Sequence, residues 1–167
     1  EYPRIAIYPE TMTMVSITHT LTRIHRECDE FFVGAENAVV KNNWDEALHL
    51  FDRFRTTMEQ HMRQEEQVLF PAFEQRSGIS LGPTQMMRME HVPMRELLQA
   101  MQASLGERNR QRYLGQSETL LTLMQQHNVK EENVLYPMTD RVLQGEQEDI
   151  LRHMHPEQAQ HAGEQRD

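Results

Sequence analysis

Two stretches decide the fold: HMRQEEQVLFP at residues 61–71 and HNVKEENVLYP at residues 127–137. They are offset by 66 residues, and the first His, both Glu, the Val, the Leu and the Pro all keep this offset. The same offset relates His25 to His91. Each half of the chain therefore repeats two His and one Glu in register. This repetition predicts a duplicated helix pair that encloses a two-metal site.

Composition favours a single all-α domain. The 167 residues include 7 Gly and 7 Pro, whereas the helix formers Met, Leu, Glu, Gln and Arg are abundant. The single cysteine, Cys28, excludes an internal disulfide framework and a cysteine-based metal site within one chain. A net charge of −9 without a basic cluster argues against a nucleic-acid partner.

The hydropathy of the chain argues against a membrane partner. No apolar run approaches the roughly 20 residues that a membrane span needs. No signal-peptide pattern opens the sequence. We therefore expect a cytoplasmic protein.

The spacing of apolar residues predicts four long helices and one short one. The long helices begin near Ser16, Trp44 and Pro83 and after Asn109, and the short amphipathic helix covers 149–154. The corresponding domain organisation is an N-terminal arm at 1–14, a bundle at 15–144, and the short helix with a polar tail at 145–167. Pro93 falls inside the third helix, where it should kink the backbone.

Each predicted hairpin places its two histidines at one height. Residues that face each other in an antiparallel helix pair lie equally far from the turn. The midpoint between His25 and His61 is residue 43, and the midpoint between His91 and His127 is residue 109. Both midpoints fall in predicted turns. Two such hairpins, packed as a four-helix bundle, bring the four histidines around one point in the core.

The chemistry of the repeated residues indicates metal binding. His61/Glu65 and His127/Glu131 are four apart, so each pair lies on one helix face. One such pair alone would be interpreted as an exposed ion pair. Two copies in register, together with His25 and His91, indicate a metal site instead. Burying them on an apolar stripe is costly unless a cation compensates, and a carboxylate can bridge two ions. Imidazole with carboxylate suits iron, with manganese or zinc as lesser alternatives.

The predicted metal ligands are His25, His61, Glu65, His91, His127 and Glu131. The adjacent Glu66 and Glu132 are interpreted as residues that either face outward or orient a ligand imidazole through its second nitrogen, rather than as ligands. Cys28 is interpreted as a buried small hydrophobe, with a redox-sensing thiol as the alternative.

In combination, these motifs resemble the bacterial hemerythrin-like, or HHE cation-binding, family. The segments that carry the resemblance are HRECD at 25–29, the two repeated stretches, and EHVPMR at 90–95, within a match over about 16–143. The resemblance implies an antiparallel up-down-up-down four-helix bundle. It also implies two iron ions, with oxo or hydroxo and carboxylate bridges, held by the six residues above.

The sequence departs from the oxygen-carrying members at two positions. Arg95 stands where they have a second histidine in the third helix, and Glu132 stands where they have an aspartate five residues after the last-helix histidine, with Glu131 at the matching family spacing. The site is therefore one histidine short. Water, an exogenous ligand, Glu90 or Tyr113 are the open alternatives for the vacant position.

The function expected from this site is that of a non-haem di-iron protein that binds or senses dioxygen or nitric oxide. A reductant is a second expected partner. The alternatives are a di-iron redox enzyme, acting as a peroxidase or nitric-oxide scavenger, and an iron or redox sensor module. Binding or sensing is favoured over catalysis because the sequence shows no general base or pocket for an organic substrate. The oligomeric state is left open.

Overall fold

The computed structural model describes residues 15–155. The predicted arm at 1–14 and the tail from residue 156 lie outside this range. The described chain consists of helices without a strand: α1 (Ile17–Val40), α2 (Trp44–Gln64), π1 (Glu65–Leu69), α3 (Phe70–Ser77), α4 (Pro83–Gly106), α5 (Arg110–Lys130), π2 (Glu131–Leu135), α6 (Tyr136–Val142) and α7 (Gln147–Met154). No helix in the described range combines the length and apolarity needed to cross a membrane.

The hairpin turns repeat with the same offset as the motifs. Asn42 and Arg108 both take positive φ, at 56° and 51°. The next residue in each turn caps the following helix: the Asn43 side chain accepts from Glu46 N, and that of Asn109 accepts from Arg112 N. Both turns therefore lie where the histidine midpoints predicted them.

The long helices pack as an antiparallel bundle. Helix α1 lies against α2 and α4 against α5, and the two hairpins meet through α1 with α5 and α2 with α4. This cyclic neighbour order, with short turns between consecutive helices, is an up-down-up-down arrangement. The predicted all-α bundle is confirmed. The short C-terminal helix is also present and begins two residues before its predicted start.

The core forms two apolar clusters. One cluster fills the turn end of the bundle and includes Phe32, Phe54 and Leu98. The other fills the opposite end and includes Leu21 and Leu69, with Leu151 and Met154 of α7 packed into it. Between the two clusters, each long helix contributes buried polar residues. The fold thus holds a polar layer sealed above and below by apolar side chains.

Asp140 of α6 links the C-terminal end of the bundle to the first turn of α1. Its carboxylate accepts hydrogen bonds from Ile17 N at 2.8 Å, Thr18 N at 3.0 Å, Thr18 Oγ1 at 2.6 Å and Ser16 Oγ at 3.1 Å. These are backbone and hydroxyl donors of the first turn of α1, which the helix itself cannot satisfy. The carboxylate also lies at the positive end of the helix dipole.

Proline affects the helices at two kinds of position. Pro93 does not end its helix, since α4 runs from Pro83 to Gly106. Pro71 and Pro137 instead follow the two π-helical turns. A proline inside an α-helix lacks a donor and crowds the carbonyl four residues earlier, and the wider π turn accommodates this.

Candidate metal centre

The six predicted ligands form the buried polar layer of the bundle. Each is at most 3% exposed. His25 comes from α1, His91 from α4, and the two His/Glu pairs from the junctions α2–π1 and α5–π2. Two groups of these side chains have atoms close enough to share a cation: Glu65, His91, His127 and Glu131, and His25, His61 and Glu131.

Four donor atoms lie close together and include the Nε2 atoms of His25 and His61. We name this set the His25 half. The two Nε2 atoms are 3.0 Å apart. Glu131 Oε2 lies 3.2 Å from His25 Nε2, and Glu65 Oε1 lies 3.4 Å from His61 Nε2. The His25 half thus consists of two imidazole nitrogens and two carboxylate oxygens, one from each glutamate.

The second set, the His91 half, repeats this arrangement. His91 Nε2 and His127 Nε2 are 3.2 Å apart. Glu131 Oε1 lies 3.1 Å from His127 Nε2, and Glu65 Oε2 lies 3.4 Å from His91 Nε2. Each carboxylate therefore directs one oxygen to each half.

The two glutamates are buried side by side, and their pKa values shift in opposite directions. Burial raises the pKa of Glu65, and the neighbouring Glu131 raises it further. Burial also acts to raise the pKa of Glu131, but His127 and His25 outweigh it and lower that pKa. Within the described chain, the buried oxygens Glu65 Oε2 and Glu131 Oε1 have no aligned hydrogen-bond donor, although His91 Nε2 and His127 Nε2 lie 3.4 and 3.1 Å from them. Orphaned buried oxygens beside imidazole nitrogens fit a bound cation.

Three of the four histidines are held from outside by a carboxylate. The contacts are Glu132 Oε1 to His25 Nδ1 at 2.8 Å, Glu66 Oε1 to His91 Nδ1 at 2.7 Å, and Glu90 Oε2 to His127 Nδ1 at 2.9 Å. Such a contact fixes the tautomer, so that Nε2 is left free to bind a metal. Glu66 and Glu132 lie against the second nitrogen of a histidine, which is one of the two positions interpreted from the sequence. Glu90, left open as a ligand, occupies the same kind of outer position.

Basic residues reinforce this support in the His91 half. Arg95 donates to both oxygens of Glu66, at 2.8 and 3.0 Å, and Lys130 contacts Glu90. The side chain that replaces the family's additional histidine therefore points to a carboxylate behind His91. Arg95 supports the site indirectly.

His61 is the exception among the four histidines. Its buried Nδ1 has no hydrogen-bond partner among residues 15–155. The repeat offset explains this, because the residue that corresponds to Glu90 is Ile24. Burial lowers the pKa of His61 well below its ordinary value, and charge on His25 adds to the effect.

The structure adds one residue that the sequence interpretation missed. Tyr136 is fully buried, and its hydroxyl oxygen lies 2.5 Å from Glu65 Oε1, 2.8 Å from Glu131 Oε2, 3.1 Å from His25 Nε2 and 3.3 Å from His61 Nε2. Burial raises the pKa of the Tyr136 hydroxyl well above its ordinary value, and the two carboxylates raise it further.

Tyr113, the tyrosine considered from the sequence, lies elsewhere. Its ring packs on Phe51 in the turn-end cluster, with 6.0 Å between centroids. It precedes His127 by 14 residues on α5, which is about 21 Å along a helix. It is therefore not a neighbour of the metal centre.

The π turns explain why Tyr136 was missed. In an α-helix, the residue five positions after Glu131 points about 140° away from it. In π2 the Tyr136 N–H bonds instead to the Glu131 carbonyl, so that the two residues stack on one face. The same bond joins Phe70 to Glu65 in π1. Pro137 and Pro71, which directly follow these residues, are the sequence signal of the change in period.

A small cavity lies next to Glu90 and Lys130 and is lined by none of the six predicted ligands. Its volume is about 60 Å³. It is lined by Glu90, Pro93, Met94, Leu123, Gln126 and Lys130. This cavity touches the Glu90–Lys130 pair that holds His127.

Comparison with known families gives a match over most of the described chain. A family model described as the hemerythrin HHE cation binding domain matches residues 16–139. The matched range contains all six clustered His and Glu residues and Tyr136. The comparisons with curated proteins and with solved structures gave no match.

Proposed function

Since the chain belongs to the hemerythrin HHE cation-binding family, we propose that it is a non-haem di-iron protein that binds or senses dioxygen or nitric oxide. The membership confirms the resemblance drawn from the sequence and establishes cation binding as the domain's property. The observation that carries the proposal is the buried layer of four His and two Glu in two matching halves.

The spacing of the donors supports two ions. Adjacent ligands on an octahedral metal with bonds of about 2.1 Å lie about 3 Å apart. Neighbouring donors within each half lie 3.0 to 3.4 Å apart. Each half therefore suits one ion, and Glu65 and Glu131 suit both. Oxo or hydroxo bridging remains part of the proposal on the family resemblance.

Iron is the proposed metal because of the donor set. Two imidazoles and two carboxylate oxygens in each half suit iron better than manganese or zinc. Bound iron supplies a change of oxidation state and a coordination position for a small ligand. The protein's own residues hold the donors in place, exclude bulk water and fix the histidine tautomers through the outer carboxylates.

A small gas is the proposed ligand because the site is closed. The six side chains are almost fully buried, which suits a diatomic molecule rather than an organic substrate. A reductant is the further proposed partner, and the predicted cytoplasmic location is part of the same proposal. Redox enzyme and sensor module are the rival outcomes of the test.

The test is the visible absorption spectrum of the iron-loaded, reduced protein before oxygen, with oxygen and after its removal. The same series is run with nitric oxide. A charge-transfer band that appears with the gas and fades on its removal supports binding or sensing. A band that persists until reductant is added, or steady consumption of peroxide, favours a redox enzyme. No gas-dependent band with two irons bound would refute the gas-binding proposal.

Two histidine variants make the test specific. His91→Ala removes a proposed ligand and should abolish the band. His49→Ala removes an exposed histidine of α2 and should leave it unchanged. Equal bands in both variants would contradict the assignment of the site.

A further inference from the structure

We propose that Tyr136 is a fifth protein ligand in the His25 half, whereas the His91 half keeps the corresponding position open for an exogenous ligand. The inference rests on the proposed two-iron centre. It makes the two metal positions chemically different, although the repeat builds both from the same residue types.

The position of the hydroxyl oxygen carries the inference. Its four closest partners are the four donor atoms of the His25 half, at 2.5 to 3.3 Å. These separations are those between adjacent donors on one metal, about 3 Å. The Tyr136 oxygen therefore lies where a further ligand of the same ion would lie.

Among residues 15–155, the His91 half has no equivalent tyrosine oxygen. The repeat offset pairs Tyr136 with Phe70, whose ring stacks on His91 with 6.1 Å between centroids. The two carboxylate oxygens without an aligned hydrogen-bond donor in the described chain, Glu65 Oε2 and Glu131 Oε1, both belong to this half. Their counterparts in the His25 half contact the Tyr136 hydroxyl. Phe70 thus leaves one donor position unfilled.

The backbone fixes the tyrosine in this place. The π turn bonds Tyr136 N–H to the Glu131 carbonyl, which stacks the tyrosine over a bridging carboxylate. The side chain is fully buried, so it does not reach solvent by a simple rotation. Tyrosine coordinates iron as phenolate. The hydroxyl proton therefore passes to solvent as the metal binds, and no oxidant or reductant is needed.

The first experiment compares iron(III)-loaded full-length protein with its Tyr136→Phe variant by visible absorption and resonance Raman spectroscopy, with iron content measured for each. We expect a phenolate-to-iron charge-transfer band in the parent, with enhanced tyrosine ring vibrations, and its loss in the variant. Tyr113→Phe is the matched control, because it removes the hydroxyl of another fully buried tyrosine that is remote from the site. The control should keep the band.

The outcomes separate this inference from the proposed function. Two bound irons in the parent without tyrosine vibrations would overturn the ligand role of Tyr136 and leave the di-iron centre standing. Persistence of the band in Tyr136→Phe would also overturn it. A parent that binds no iron would overturn both proposals.

A second variant tests the open position in the other half. Phe70→Tyr places a hydroxyl at the equivalent position, and we expect about twice the phenolate band intensity of the parent. Azide is the probe for the exogenous ligand, and its affinity for the iron(III) protein should fall at least about tenfold in this variant. Unchanged azide binding, or an unchanged phenolate band, would contradict the assignment of the open position to the His91 half.

Discussion

Glu66 is the residue whose neutralisation should weaken metal binding most clearly without removing a ligand. Its carboxylate accepts from His91 Nδ1 at 2.7 Å and from both terminal nitrogens of Arg95. Burial acts to raise the pKa of Glu66, but the bonds from Arg95 and His91 outweigh it and lower that pKa. Glu66 is therefore ionised at neutral pH, and Glu66→Gln removes a charge from this chain of contacts.

The expected magnitude follows from the position of the carboxylate behind a metal-binding imidazole. Loss of such a partner costs about 10- to 100-fold in metal affinity, which is about 1.4 to 2.7 kcal/mol. Glu132→Gln should have a smaller effect, near the lower limit. Glu132 is 32% exposed, and it has no basic partner in the part of the chain that the structure describes.

The assay is competition for iron(II) between the protein and a chelator of known affinity, without oxygen. Glu59→Gln is the matched control. Glu59 also contacts Arg95, at 3.2 Å, and its hydrogen bonds in the described range do not include His91. We expect the control to stay within about twofold of the parent. An unchanged affinity in Glu66→Gln, or an equal loss in Glu59→Gln, would refute the reasoning.

Three further predictions concern the thiol, the helix cap and the proton balance. Burial raises the pKa of the Cys28 thiol from 9.0 to about 12, so the native protein should react with a thiol reagent at pH 8 about 1,000-fold more slowly than the unfolded chain. Similar rates in both states would contradict its burial. Asp140→Ala should lower the free energy of unfolding by about 1–2 kcal/mol in a urea titration, because Asp140 caps α1. Asp149→Ala, which loses an exposed contact, is the control. Burial lowers the pKa of His127, but Glu131 outweighs it and the pKa is raised to about 9, so iron must displace a proton below that pH. Apparent iron(II) affinity should therefore rise by up to about tenfold per pH unit up to about pH 9, and a flat profile would contradict this.

The sequence predicted the bundle because its repeat fixes helices and turns together. The histidine midpoints at residues 43 and 109 fall on turns that share their backbone conformation and their capping asparagine. The six His and Glu side chains also lie together as predicted. The 3.6-residue period is enough to place residues such as His61 and Glu65 on one face.

The 3.6-residue period does not predict which residues share a face where an α-helix changes to a π-helix. Tyr136 lies off the α-helical face of Glu131, and only the π turn brings it back. The contact between Glu90 and His127 could not be predicted for a different reason, because it depends on how closely α4 and α5 pack. The spacing of residues within one helix gives no information about the distance between two helices. The repeat offset pairs the apolar Ile24 with the acidic Glu90, and this difference was visible in the sequence. Its consequence for His61 and His127 could not be predicted without knowing which histidine nitrogens face outward.

The measurement that tests the central claim most directly is an anomalous difference map from crystals of the iron-loaded protein. We expect two iron peaks in each chain, one among the donor atoms of the His25 half and one among those of the His91 half. A single peak shared by all four histidines, or peaks only at exposed histidines, would contradict the two-metal centre.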